Sequence, residues 1–125
     1  MVILDTNIII DHLRRRGQES HLLKLSYKIK QDQLGISVIS IQELFEGAST
    51  RNESERDKLL ATVAPLKTFP YTFEIAKLAG EIARDSKQTI EFADAAIAAT
   101  AITHDTQLAT LNRKDFQGIK ELKLI

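Results

Sequence analysis

Val2-Ile3-Leu4-Asp5-Thr6-Asn7 stands at the head of the chain. Its unbroken apolar run reads as a strand buried on both faces, as in a parallel sheet, because a half-exposed strand would alternate. Ile8, Ile9 and Leu13 then recur at helical spacing. Arg14-Arg15-Arg16-Gly17 supplies cations for the last turn of that helix and a glycine beyond it. Asp5 therefore falls where a buried strand hands over to a helix.

The same alternation continues along the chain. Residues 19–31 read as a helix through Leu22, Leu23, Leu25 and Ile29, and Leu34-Gly35-Ile36-Ser37 as a second strand. Residues 39–48 form a helix with Ile41, Leu44, Phe45 and Ala48 on one face, and residues 52–64 a further amphipathic helix stopped by Pro65. Residues 66–69 read as a strand before Pro70, and residues 72–87 as a helix capped by Thr72. Residues 94–102 are apolar almost all round, which predicts a buried helix. Residues 108–111 and 122–125 supply the last two strands. Strands alternating with helices imply parallel connections and a layered α/β sheet, whose ligand site lies at the carboxyl ends of the strands.

Composition narrows the chemistry. The chain has 125 residues, 17 Lys+Arg against 17 Asp+Glu, no Cys, no Trp and 43% hydrophobic residues. That length fits one domain over residues 1–125 with a core that needs no disulfide or structural metal. Without cysteine there is no disulfide framework, thiolate zinc site, iron–sulfur cluster or thiol nucleophile. Zero formal charge argues against nucleic-acid binding by bulk positive charge, while leaving room for a local basic patch. No apolar stretch approaches the roughly 20 residues of a membrane span. The first residues carry an acid where a signal peptide would carry cations, so the cytoplasm is the expected compartment and no membrane the expected partner.

Four polar residues fall near one sheet edge on this reading. Asp5 follows the first strand, Glu43 lies early in the helix after the second, Asp94 opens the Ala-rich helix, and Asn112 follows the strand at 108–111. Carboxylates gathered in one cleft raise one another's pKa unless a cation sits among them. Oxygen-only ligation suits Mg²⁺ or Mn²⁺. His12, His21 and His104 are scattered, which speaks against a histidine zinc site. Each acid also has a purely structural reading. Asp5 can cap the helix after it, Glu43 can close a capping box with Ser40, and Asp94 can favour a helix dipole. Asp94 fits that role least well, because a carboxylate at the mouth of a buried helix needs a partner. Thr6 and Asn7 read as capping or turn residues, Glu91 and Asp115 as surface acids within reach of the site. Arg113-Lys114 is a local basic spot suited to phosphate contact.

Four blocks, in order and together framing nearly the whole chain, resemble the PIN-domain family and specifically its VapC-type toxin ribonucleases. They are Val2-Ile3-Leu4-Asp5-Thr6-Asn7, then Ser37 to Gly47 with its S-x-x-S-x-x-E-L-x-x-G pattern, then Phe92 to Ala101 around D-x-x-I-A-A-x-A, then Leu108 to Phe116 around L-x-T-x-N-x-x-x-F. The resemblance implies a three-layer α/β/α sandwich around a short central parallel sheet. It implies the toxin of a type II toxin–antitoxin system, a ribonuclease that cleaves RNA phosphodiester bonds with Mg²⁺ or Mn²⁺ and metal-activated water. It also implies a homodimer and a VapB-type antitoxin. Asp5, Glu43 and Asp94 match the family's catalytic, metal-binding acids. Asn112 matches a fourth position that is Asp in many members, a departure for which Asp115 can compensate. Two other classes compete. A non-catalytic PIN-like module binding RNA or protein is favoured by Asn112. A phosphohydrolase of the haloacid-dehalogenase type, with Asp5 as nucleophile, lacks its second acid because Asn7 stands there.

Overall fold

The computed structural model describes residues 1–16 and 18–125. Five strands, β1 (Val2–Leu4), β2 (Leu34–Ser37), β3 (Lys67–Phe69), β4 (Gln107–Ala109) and β5 (Lys123–Leu124), form one sheet in the order β3-β2-β1-β4-β5. Every pairing is parallel, with Leu4 beside Ile36 on one side and Ala109 on the other. Six α-helices are described: α1 (Thr6–Arg14), α2 (His21–Ser26), α3 (Val38–Glu46), α4 (Glu53–Val63), α5 (Phe73–Asp85) and α6 (Phe92–Thr103).

The unbroken apolar run of β1 explains the layers. Val2 and Leu4 point to one face, where they join Ile8 and Ile9 of α1, Leu44 of α3 and Leu59 of α4. Ile3 points to the other, where it joins Ile97, Ala98 and Ala101 of α6 and Leu108 of β4. Successive strand residues thus feed two cores, and helices cover both faces of the sheet, the α/β/α arrangement expected from the sequence. α5 packs on α6 through Ile75 and Ala79 against Ala95 and Ala99.

Several boundaries differ from expectation, each for a local reason. The helix expected over residues 19–31 is only α2. Ser20, fully buried, caps it by accepting from the Leu23 amide at 3.1 Å. Past Ser26 the amides of Lys28 and Ile29 both return to the Leu25 carbonyl, which closes the helix and swings Ile29 onto the core. The expected Gly17 stop after α1 lies outside the described residues. α3 starts at Val38, with Ser37 as cap accepting from Ile39 N at 3.0 Å. Glu43 is therefore a second-turn residue, and the capping box with Ser40 does not form. α6 begins two residues before Asp94, so Asp94 lies inside its first turn rather than opening it. β4 ends at Ala109, before the expected 111, because Thr110 turns toward Asp5.

β1 is the first strand in sequence, β2 and β3 build outward on one side of it, and β4 and β5 on the other. The crevice beyond the carboxyl ends of β1 and β4 is the topological switch point of the sheet, the place where open α/β sheets bind their ligands.

Candidate active site

Asp5 sits at that switch point, 5% exposed. Its amide donates to the Ala109 carbonyl at 2.9 Å, carrying the β1–β4 pairing one step further. One carboxylate oxygen accepts from Thr6 N at 2.7 Å and so caps α1, and the other accepts from Thr110 Oγ1 at 2.7 Å. The capping and functional readings of Asp5 are thus compatible, since each oxygen keeps a further lone pair. Thr110 itself accepts from Asn112 N at 3.0 Å and from Asn7 Nδ2 at 3.4 Å, and Asn7 Oδ1 accepts from Leu111 N at 3.2 Å. Asn7 thereby fastens the exit of β4 to the start of α1.

Glu43 reaches the same place from α3. Its Oε1 accepts from Thr6 Oγ1 at 2.6 Å, and Thr6 Oγ1 lies 2.8 Å from Ser40 Oγ. Thr6 has one hydroxyl proton. Because the carboxylate takes it, Ser40 must donate to Thr6, giving a directed chain Ser40 to Thr6 to Glu43. Ser40 is fully buried, so this chain fixes both the helix and the carboxylate.

Asp94 enters from the first turn of α6. A cavity of about 480 Å³ is lined by five carboxylates, those of Asp5, Glu43, Glu91, Asp94 and Asp115. Among the described residues no Lys, Arg or His side chain lines it. The consequence is visible in protonation. Burial first, then the charges of Asp5, Asp115, Glu91 and Glu43, push the Asp94 carboxyl up to about 7. Burial likewise raises Asp5, with the bonds from Thr110 and Thr6 opposing it and the charges of Glu43 and Asp115 adding to it.

Asn112 also lines the cavity. Its side-chain amide donates to Asp115 Oδ2, so the neutral residue holds an acid in place beside the other carboxylates. The expected phosphate contact at Arg113 meets a different arrangement, since its Nη1 donates to the Ile125 carbonyl.

The structure thus brings Asp5, Glu43, Asp94 and Asn112 together, although they lie in four distant parts of the chain. Thr110, Ser40 and Asn7 were not singled out in sequence as groups that hold the acids. The hydroxyl spacing in Thr110-Leu111-Asn112 and in Ser37-Val38-Ile39-Ser40 was the available signal.

The donor set suits a hard cation: uncompensated carboxylates in a partly desolvated pocket, one of them held near neutrality. Among the described residues no three His, Asp or Glu groups close into a finished ligand cage. Mg²⁺ keeps several waters and takes only one or two carboxylates directly, so an ion bound here would draw on part of this set.

Residues 2–122 match the PIN domain. The chain belongs to the PIN-domain family. Within it the chain sits among the VapC-type members. It is 36% identical over 126 residues to Ribonuclease VapC10 of Mycobacterium tuberculosis, covering 98% of this chain and 91% of that protein. It is also 36% identical over 132 residues to Ribonuclease VapC1 of Rickettsia felis, covering 99% and 94%. The crystal structure of VapBC2 from Rickettsia felis, bound to a DNA fragment from their promoter, superposes with a TM-score of 0.81 at 26% identity over 100% of this chain and 98% of that one. In these PIN-domain terms the cavity at the β1–β4 switch point is where the expected catalytic acids meet.

Proposed function

We propose that this protein is the toxin of a type II toxin–antitoxin system, a ribonuclease that hydrolyses RNA phosphodiester bonds with Mg²⁺ or Mn²⁺. The observation that carries the reading is the convergence of five carboxylates on one cavity at the sheet's switch point, with Asp94 driven up to about 7. Asp5 and Asp94 would hold the cation directly, and Glu43 would hold it or orient its water. A bound divalent ion orients water, lowers its pKa and offsets charge on the phosphoryl oxygens.

The chain's own residues have definable tasks. Thr110 and the Thr6 amide orient the Asp5 carboxylate. Thr6, itself held by Ser40, orients Glu43. Burial and the neighbouring carboxylates favour the protonated form of Asp94, so a cation bound there would displace a proton. Asn112 and Asp115 act as one unit, in which Asn112 donates and Asp115 supplies the fourth negative group. The non-catalytic alternative leans on the missing acid at position 112. Asp115 on the same cavity removes that support.

The kinship with VapC ribonucleases and the likeness to a VapBC complex support a VapB-type antitoxin as partner. A homodimer of single-domain subunits in the cytoplasm completes the proposal. No described helix is long and apolar enough to cross a membrane. The experiment is RNA cleavage by wild type, Asp5→Asn and Asp94→Asn with Mg²⁺ or Mn²⁺ and with EDTA. Wild type should cleave only with metal and both variants should be inactive; equal cleavage by all three proteins would overturn the assignment.

A further inference from the structure

A cavity lined by acids and neutral groups repels the phosphates of an RNA substrate, so the positive charge that holds the strand must lie beyond its rim. The neutral total conceals where that charge is. Residues 14–30 carry six cations, Arg14, Arg15, Arg16, Lys24, Lys28 and Lys30, against one acid, Glu19, which leaves 11 Lys+Arg against 16 Asp+Glu elsewhere. All six cations are exposed. The start of α2 is fastened beside the end of α1, because the Asp11 carboxylate accepts from the His21 amide at 3.0 Å and from Arg15 Nε at 2.8 Å. Asp11 is thereby taken up by Arg15 and His21. Among the described residues no carboxylate comes within ion-pair distance of Arg14, Arg16 or Lys24.

Arg14 joins this surface to the cavity. Asn7 and Ile10 of α1 both line the cavity. Arg14, the last residue of α1, stands one turn beyond Ile10 and two turns beyond Asn7, so the three share one face of the helix. Neighbours one turn apart have Cβ atoms only about 6 Å from each other. A helical side chain also leans toward the N-terminal end of its helix, and for α1 that end is the cavity. We infer that Arg14 contacts a backbone phosphate of the RNA strand where it leaves the cavity along α1, as the first cation of the basic surface at residues 14–30. The inference rests on the ribonuclease reading and adds to it the path of the substrate. A guanidinium on a phosphate reads no base, so the contact positions the strand and leaves the choice of sequence to other groups.

The test measures cleavage of two single-stranded RNAs of different sequence across a range of salt by wild type, Arg14→Gln, Arg14→Lys and Lys77→Gln. The last removes an equal charge from exposed α5. Arg14→Gln should raise KM by about 5- to 10-fold at low salt, equally for both RNAs, with kcat close to wild type. The slope of log KM against log salt should fall by about 0.7, the value for one phosphate contact on a single strand. Arg14→Lys should restore most of the binding, and Lys77→Gln should stay within about twofold of wild type. An unchanged KM in Arg14→Gln, or a loss that does not fade with salt, overturns the proposal. An equal loss in Lys77→Gln also overturns it, since bulk charge alone would then be at work. So does a loss accompanied by a change of molecular mass in light scattering, which would assign Arg14 to a contact between copies of the chain. If wild type cleaves no RNA, the ribonuclease reading fails instead. The contact is then judged by fluorescence anisotropy of a labelled single-stranded RNA: salt-dependent binding that weakens in Arg14→Gln and returns in Arg14→Lys supports it, and equal binding by all three, or none by wild type, overturns it.

Discussion

Replacing Asp94 by Asn should stabilise the metal-free protein while destroying its activity. The Asp94 carboxyl is raised from 3.8 to about 7, by burial and by four neighbouring carboxylates. The folded state therefore binds the proton more tightly than the unfolded chain. Stability due to this group is full below about 3.8, falls as pH rises, and has gone above about 7. The full shift would correspond to roughly 4 kcal/mol at 1.36 kcal/mol per pKa unit. Asp94 is only partly buried, and solvent screening reduces that to about 1–2 kcal/mol. Asn is a neutral isostere of the protonated acid and carries no such penalty. For a chain of this length the difference amounts to about 3–10 °C in melting temperature. The assay is thermal unfolding in EDTA at pH 5 and pH 8. Asp94→Asn should melt above wild type at pH 8, with a smaller gap at pH 5. Adding Mg²⁺ should raise wild type by more than it raises the variant. A variant less stable than wild type at pH 8 without metal would refute the reasoning, because it would mean that the Asp94 carboxylate is satisfied by the protein itself.

Other outcomes follow from the same geometry. Thr110→Val removes the hydroxyl shared by Asp5 and the Asn112 amide; it should cost about 1–3 kcal/mol in chemical unfolding and raise the Asp5 pKa further. Asp115→Asn should weaken metal binding about 10- to 100-fold, measured by titration with Mn²⁺, and should lower the Asp94 pKa. Gly35→Ala places a Cβ against the Phe69 ring, which is buried at 3% exposure. It should cost about 1–3 kcal/mol in denaturant while leaving cleavage per folded molecule unchanged.

The layered sheet was legible because its signals are local. Val2-Ile3-Leu4 cannot be half-exposed, and the Ala-rich run at 95–101 cannot be a surface helix. The candidate acids were legible because each lies just after a strand or early in a helix at the same edge. Less local features escaped. The strand order is set by which edges pair, and no pattern within a strand records that β4 joins β1 rather than β3. α2 was overextended because Leu22, Leu25 and Ile29 keep helical spacing even though the backbone closes at Leu25. The Ser40–Glu43 pattern fits a capping box in sequence, but the choice of Ser37 as cap one turn earlier turns Glu43 into the site. Asn112 read as a lost acid because its hydrogen bond to Asp115 is invisible until the turn after β4 is built.

Calorimetric titration with Mn²⁺ near pH 6.5, repeated in two buffers of different ionisation enthalpy, tests the carboxylate cavity as a cation site most directly. Wild type should bind the ion and release protons as Asp94 is displaced from its protonated form. Asp94→Asn should bind more weakly without that release, and Asp5→Asn should lose binding. Equal binding by all three proteins, with no proton release, would contradict the account.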